Sequence, residues 1–530
     1  MFRWLSRKVK FITHQKKEES TTDGQRRKQP ESQKVSTRLN KNFTYMKAQF
    51  GENYDIIYRS FRVGKQIHYQ AFLMAVDGMV EKTTINLNII KPLMQVDLVD
   101  SGHDLMGYLK DSVISVIDIK EEEDMTRVVN QVVNGKVALF IEGEQKALLI
   151  GVQAWEMRGI EEPVTETVVR GPRDGFIENL QTNLSLVRRR IHHPHLRMEP
   201  MTIGTSTQTK VVVSYIKDIA NEEIVKEVKR RLEEIQVDAI LETGFIEEYI
   251  EDAPFSFFPT VSNTEKPDIV AARLLEGRVA IFVDGTPEVL TVPNLLISAF
   301  QIAEDYYSRP FYVSFIRIIR ILAFLSSIIL PGLYIASQNF HTELIPTPLL
   351  ITMAEAREGV PFPLPFEVLF LNLMFEWLKE SGVRMPRPIG QAVSIVGALI
   401  LGESAVAAGL VGAPTVIVIA IVGITSFLVP ALSDTISLLR LLFILIASVF
   451  GLYGIILLGI VIIAHLASLR SFGIPYSAPI FPITFKDWKD AMVRLPLWML
   501  VSRPKVLRPA NLIRQKWGGW VGGKDHREKK

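Results

Sequence analysis

The sequence predicts an α+β membrane protein: two similar cytoplasmic α/β subdomains followed by an α-helical transmembrane domain. Three observations carry that expectation. The long uncharged apolar runs are crowded between about residues 311 and 470, in a chain of 530 residues whose mean hydropathy is +0.19. Upstream, one strand–turn pattern occurs twice. And the net charge of +3 conceals opposed blocks: residues 1–40 carry eleven Lys/Arg against four Asp/Glu, residues 484–530 carry twelve against four, and the stretch between them is acidic. Basic flanks around an apolar region suit apposition to an anionic membrane surface better than nucleic-acid binding. The chain has no cysteine, which excludes a disulfide framework, thiol catalysis and metal sites built on Cys.

The opening segment, Met1 to Lys10, lacks the apolar core of a secretory leader, so the N-terminal part is expected to stay in the cytoplasm. Residues 1–45 are read as a disordered basic arm, too poor in large apolar groups to offset the entropy of ordering. Subdomain 1 is expected over 46–160, a linker and connecting helix over 161–204, and subdomain 2 over 205–305. Strand-like runs stand at Gln70–Val76, Lys136–Ile141, Thr209–Ile216 and Arg278–Val283, and Asn221–Glu234 has Ile224, Val225, Val228 and Leu232 at helical spacing. Asn134–Gly143 (NGKVALFIEG) matches Glu276–Gly285 (EGRVAIFVDG) at an offset of 142, and the matching of neighbouring segments at nearly that offset favours a duplication.

The helical region is set at 306–470, with spans near 311–336, 388–410, 411–432 and 438–466 and an interfacial or re-entrant segment over 341–380. The span near 438–466 is long enough to cross ~30 Å of hydrocarbon once and is taken as too short to cross twice. Pro331-Gly332 is expected to kink or end the first. Leu364–Leu378 is apolar but short and holds Glu367 and Glu376. Residues 471–530 form a basic cytoplasmic tail, and with both termini cytoplasmic the number of crossings is even.

Candidate functional residues fall in three groups. In the helix over 388–410, the small or polar residues Gln391, Ser394, Ala398, Gly402, Ala405 and Gly409 recur at three- and four-residue steps and form a stripe. Such a stripe suits close helix packing or a water-filled path, and the working expectation is a pore lining, with Glu403 beside it. Glu355, Arg357 and Glu358 are vestibule or gate charges, or simply a local ion-pair network. Arg170, Arg173, Arg188, Arg189 and Arg190 flank the connecting helix, which is either purely structural or a subunit contact. His192, His193 and His195 are read as a solvated connector rather than a metal site. The chain carries no phosphate loop, dinucleotide fingerprint, HExxH or GxSxG, so no enzyme, cofactor or metal is expected.

Three stretches carry a resemblance: EPVTETVVRGPRDGFIENLQTNLSLVRRRI (162–191), REGVPFPLPFEVLFLNLMFEWLKESGVRMPRPIGQAVSIVGALILGESAVAAGLVG (357–412) and SLRSFGIPYSAPIFP (468–482). Together they resemble the GerA family of spore germination proteins, the A-type subunits of nutrient germinant receptors, over about residues 45–500. The resemblance implies a multi-pass protein of the spore inner membrane. It implies a permease-like B-subunit and a lipoprotein C-subunit as partners, and a homo-oligomeric ring that conducts ions when nutrient binds. It carries no catalytic residues over. The family also includes a SpoVAF-type relative with no dedicated nutrient, and a solute transporter or a non-conducting scaffold are the alternatives from other classes.

Overall fold

The structure, a computed structural model, describes residues 33–97, 104–154, 163, 166, 168–384, 400–484 and 487–515. The chain divides into two units: Met1–Arg158 with Arg188–Arg197, and Gly159–Val187 with Met198–Lys530.

The first unit is built on five strands: β1 (Ile56–Val63), β2 (Tyr69–Val76), β3 (Ile119–Glu122), β4 (Val137–Ile141) and β5 (Ala147–Ile150). They form one antiparallel sheet in the order β1-β2-β4-β5-β3, with Phe72 opposite Phe140 and Leu139 opposite Leu148. Helices α1 (Leu39–Phe50) and α2 (Met125–Val133) cover one face, where Met46, Phe50, Val128 and Val132 pack on Phe72, Phe140 and Leu149. Ile89, Leu93 and Leu109 cover Leu73, Leu139 and Leu148 on the other. Coverage of both faces is why β2 and β4 are almost continuously apolar instead of alternating. Asp124 starts α2 by accepting the Thr126 amide at 2.8 Å.

The second unit repeats this plan. Strands β6 (Leu196–Ile203), β7 (Thr209–Ile216), β8 (Ser262–Thr264), β9 (Val279–Val283) and β10 (Val289–Val292) run in the order β6-β7-β9-β10-β8, the same permutation as the first sheet. Helix α3 (Leu180–Arg188) precedes it, and α4 (Glu222–Glu233), α5 (Thr243–Ile250) and α6 (Pro267–Glu276) lie within it. The residues of α4 at helical spacing, Ile224, Val225, Val228 and Leu232, are its buried ones. Gly143 and Gly285, at equivalent turns after β4 and β9, both hold φ near +90° (93° and 91°), a conformation that excludes most side chains and accounts for the shared glycine in the repeat.

Sheet two is continuous with a helical layer: α7 (Pro310–Asn339), α8 (Thr347–Glu355), α9 (Leu364–Arg384), α10 (Ala413–Ser426) and α11 (Ser433–Ser468). Helix α7 runs through Pro331-Gly332 to Asn339 and does not end there. A Cβ on Gly332 would sit 3.0 Å from the Phe443 carbonyl oxygen, so the glycine is what lets α7 and α11 touch. Helix α9 is longer than the short segment expected, reaching Arg384.

The largest departure is in α11. Gly451 has φ 58° and ψ −141°, outside any helical region, and the chain turns back there. Thr435, at the start of α11, donates to the Phe257 carbonyl, and His465, near its end, has Nε2 2.9 Å from Ser256 Oγ. A straight helix would hold those two residues about 45 Å apart at 1.5 Å per residue. They meet adjacent residues because α11 is a hairpin of two halves, Ser433–Phe450 and Leu452–Ser468. The one continuous helix expected over 438–466 is therefore corrected in its path: φ > 0 at Gly451 splits it into two arms of roughly 26 Å each. The turn is wedged by Phe340, whose ring carbons lie 2.9–3.1 Å from where a Gly451 Cβ would be.

Beyond α11 the chain is not a free tail through residue 515. Strands β11 (Arg470–Ser471) and β12 (Ile474–Pro475) dock on the second sheet unit, where Ser471 Oγ donates to the Thr260 carbonyl at 2.7 Å and accepts from the Asn294 amide at 2.9 Å. Farther on, Arg494 Nη1 donates to Ser308 O at 2.8 Å and Arg503 Nε to Leu275 O at 2.7 Å.

Candidate functional site

The direction of each helix follows from its contacts. Gly332 meets Phe443 and Gly451 meets Phe340, so α7 and the first arm of α11 run the same way. Glu376 of α9 meets Arg440, and Lys379 meets Ser433 at 2.7 Å, so α9 runs the opposite way. Helix α10 runs parallel to α9, because Gly412 lies at Glu367 and Gly423 at Phe375. Outward faces are apolar: Phe311, Phe315, Ile318, Leu322 and Leu325 on α7, and Val449, Tyr453, Ile456, Ile460 and Ile463 on α11, are all exposed. So broad an apolar surface exceeds what a soluble monomer tolerates. Among the described residues, Pro310–Asn339 and Pro430–Ser468 have the length and composition to cross a membrane, and Ala413–Ser426 is a shorter apolar helix.

Inside this layer lie three nodes of buried charge. The first is Glu367, whose side chain is wholly buried. It accepts from Arg357 Nη2 at 2.9 Å and Nε at 3.3 Å, from the Gly412 amide at 3.0 Å, and from Thr415 Oγ1 at 3.2 Å, and Thr415 Oγ1 lies 3.3 Å from the Tyr334 hydroxyl. One carboxylate thus ties together α7, α9, the start of α10 and the loop after α8. Burying an ion costs several kcal/mol unless it is paired and hydrogen-bonded, and here both conditions are met. The second node joins Glu376 to Arg440 and to Ser437 Oγ at 2.9 Å. The third stands at the foot of α7, where Asp305 receives Arg317 Nε at 2.8 Å and Arg320 Nη2 at 2.9 Å. Arg317 Nη1 also donates to the Asp490 carboxylate at 3.1 Å, and burial pushes the Asp490 carboxyl above its ordinary range even though Arg317 pulls it down.

Of the three expected charges, Arg357 is committed to Glu367, while Glu355 and Glu358 lie exposed on the same turn. In the stripe, Gln391, Ser394 and Ala398 lie outside the described residues. Gly402 and Ala405 are half-buried, Ala405 packs against the cluster around Tyr334 and Leu364, and Glu403 is exposed. Gly409 is not on the helix: the α-helical turn ends at Ala407 and Gly409 adopts φ 64°. Ile400–Ser404 is a π-helical turn, so the even 100° spacing assumed for the stripe does not hold across it.

The arginines separate as well. Arg188 is fully buried and holds Asp55 through two bonds, Nε at 2.8 Å and Nη2 at 3.0 Å, with the Leu196 and His193 carbonyls as further acceptors. Its expected subunit contact is therefore corrected to an internal ion pair, since a guanidinium sealed from solvent has no face left to offer. Arg189 and Arg190 are half-buried, and Arg170 and Arg173 are exposed. No group of three or more metal-ligating side chains is found among the described residues. Glu367, Glu376, Arg317 and Arg320 were visible in the sequence as charges in apolar segments, which is itself a functional signal. Their pairing with Asp305, Asp490 and Arg440 was not, because these partners lie 12, 173 and 64 residues away in the chain.

The fold and these nodes define a class: a duplicated α+β sheet module continuous with an apolar helical layer that is cross-linked by buried ion pairs. Residues 44–506 match the family model described as Bacillus/Clostridium GerA spore germination protein, and the chain belongs to the GerA family of spore germination proteins. It is 43% identical over 495 residues to spore germination protein KA of Bacillus subtilis (strain 168), covering 93% of this chain and 90% of that protein. It is 40% identical over 433 residues to spore germination protein GerLA of Bacillus cereus, covering 81% and 88%. A crystal structure of the N-terminal domain of the A subunit of the Bacillus megaterium spore germinant receptor GerK3 aligns at 33% identity with a TM-score of 0.41, over 50% of this chain and 98% of that one.

Proposed function

We propose that this chain is the A-subunit of a nutrient germinant receptor, that it sits in the spore inner membrane as a multi-pass protein, and that copies of it assemble into an ion-conducting pore which opens to start germination. The observation that carries this is the family match across residues 44–506, which takes in both sheet units and the whole helical layer. A membrane seat is supported by the exposed apolar faces and by ion pairs turned inward, the arrangement a bilayer requires. A common side for the second sheet unit and the C-terminal segment is supported by the return of α11 to that unit. Nutrient is sensed on a permease-like B-subunit, with a lipoprotein C-subunit completing the receptor. The segment 388–410 supplies the pore surface, with Glu355 and Glu358 at its vestibule. Ala405→Leu should block nutrient-triggered potassium release from spores without lowering the amount of receptor. Undiminished release at a normal protein level would remove that segment from the pore, and loss of release only in step with loss of protein would favour a scaffold.

A further inference from the structure

The loop after α5, residues 253–258 (Ala-Pro-Phe-Ser-Phe-Phe), is unusual for a sheet domain. Phe255 is 100% exposed and Phe257 44%, whereas Phe258 between His465 and Tyr476 is buried. Two exposed phenyl rings on one short loop cost free energy in water and need an apolar or interfacial partner. The loop is not floppy: Ser256 is bonded to His465 and the Phe257 carbonyl to Thr435, so both feet of the α11 hairpin hold it. These feet mark the level at which the apolar faces of the α11 hairpin begin. Just past the second foot the cationic side chain of Arg470 is exposed as well. Aromatic rings interspersed with arginines at the end of apolar helices are the composition of a lipid headgroup boundary.

We infer that the 253–258 loop is a membrane anchor of the second sheet unit, with Phe255 and Phe257 inserted at the headgroup–acyl boundary of an anionic bilayer beside Arg470. This rests on the membrane seating proposed above. Lipid is favoured over a protein partner because the loop continues the lipid-facing surface of the helices and is locked to their ends.

The absence of cysteine from the chain makes the test direct. The full-length protein is reconstituted in phosphatidylglycerol–phosphatidylethanolamine vesicles with one spin label at Phe255→Cys, at Ile456→Cys on the outer face of the hairpin, or at Ile117→Cys, a fully exposed site in the first unit. Collision with oxygen and with a water-soluble nickel chelate is then measured. The expected result is a Phe255 label that meets oxygen freely and nickel severalfold less often than the Ile117 label does. A nickel-accessible Phe255 label beside a lipid-like Ile456 label would overturn the anchor and leave the membrane seating intact. Nickel access at Ile456 as well would overturn both. A Phe255 label shielded from both reagents would mean that protein covers the loop, and would also overturn the anchor.

Discussion

Arg188 and Asp55 are a pair whose two members cannot be changed singly without harm. Both are sealed from solvent, with 0% and 2% of their side chains exposed. Asp55→Ala would leave a guanidinium with only carbonyl partners, and removing one member of a buried pair costs roughly 3–5 kcal/mol. We expect Asp55→Ala to lower the chemical-denaturation stability of the first unit by that order, and Asp55→Ala/Arg188→Met to recover part of it. Glu247 makes a different prediction. Burial, helped by Glu251, Glu288 and Glu242, pushes its carboxyl up to about 7. The folded state then keeps a proton that the unfolded chain releases above its ordinary value of about 4.3. Its contribution to stability is full below that ordinary value and is lost as pH rises toward 7. Because the side chain is half-buried, the sign is predicted and not the size: melting temperatures should fall between pH 5 and 7.5, and Glu247→Gln should flatten that fall.

At the scale of elements, the sequence was most legible where periodicity was strong. The strands near 70–76, 136–141, 209–216 and 278–283 were set by runs of Val, Ile, Leu and Phe, and α4 by its apolar spacing. The helical layer was legible in extent and not in path. Composition reports that 438–466 is apolar, and one glycine among ten or more apolar neighbours gives no sign that its φ is positive; only the ring of Phe340, more than a hundred residues earlier, shows why Gly451 must turn. Over its described part the stripe does not keep the even period on which it was counted, since a π turn at 400–404 interrupts it. Gly451→Ala is therefore expected to lower thermal stability of the membrane-extracted protein by at least 1–3 kcal/mol, the usual cost of a strained backbone, with the added clash at Phe340. Gly459→Ala, where a Cβ meets nothing, should change it little. Equal losses at both positions would argue against the hairpin.

For the whole molecule, the repeat was readable as a sequence match, and the shared strand permutation gives it structural content. What could not be read was closure: nothing in the composition of 470–515 distinguishes a solvated basic tail from a segment that docks. Docking depends on particular distant acceptors, such as the carbonyls of Thr260 for Ser471 and Leu275 for Arg503. A chain stopped after residue 469 should accordingly lose the fold of its second sheet unit, read as increased proteolysis within residues 198–309, while the first unit stays resistant. Resistance of both would show the C-terminal segment to be dispensable.

That docking also sets an order of events during synthesis. Strands β6 to β10 are made before α7, yet the hydroxyl that joins Thr260 to Asn294 belongs to Ser471, on the far side of every apolar helix. The second sheet unit therefore reaches its final state only after the whole helical hairpin has been made, so that its maturation reports on completion of the helical layer.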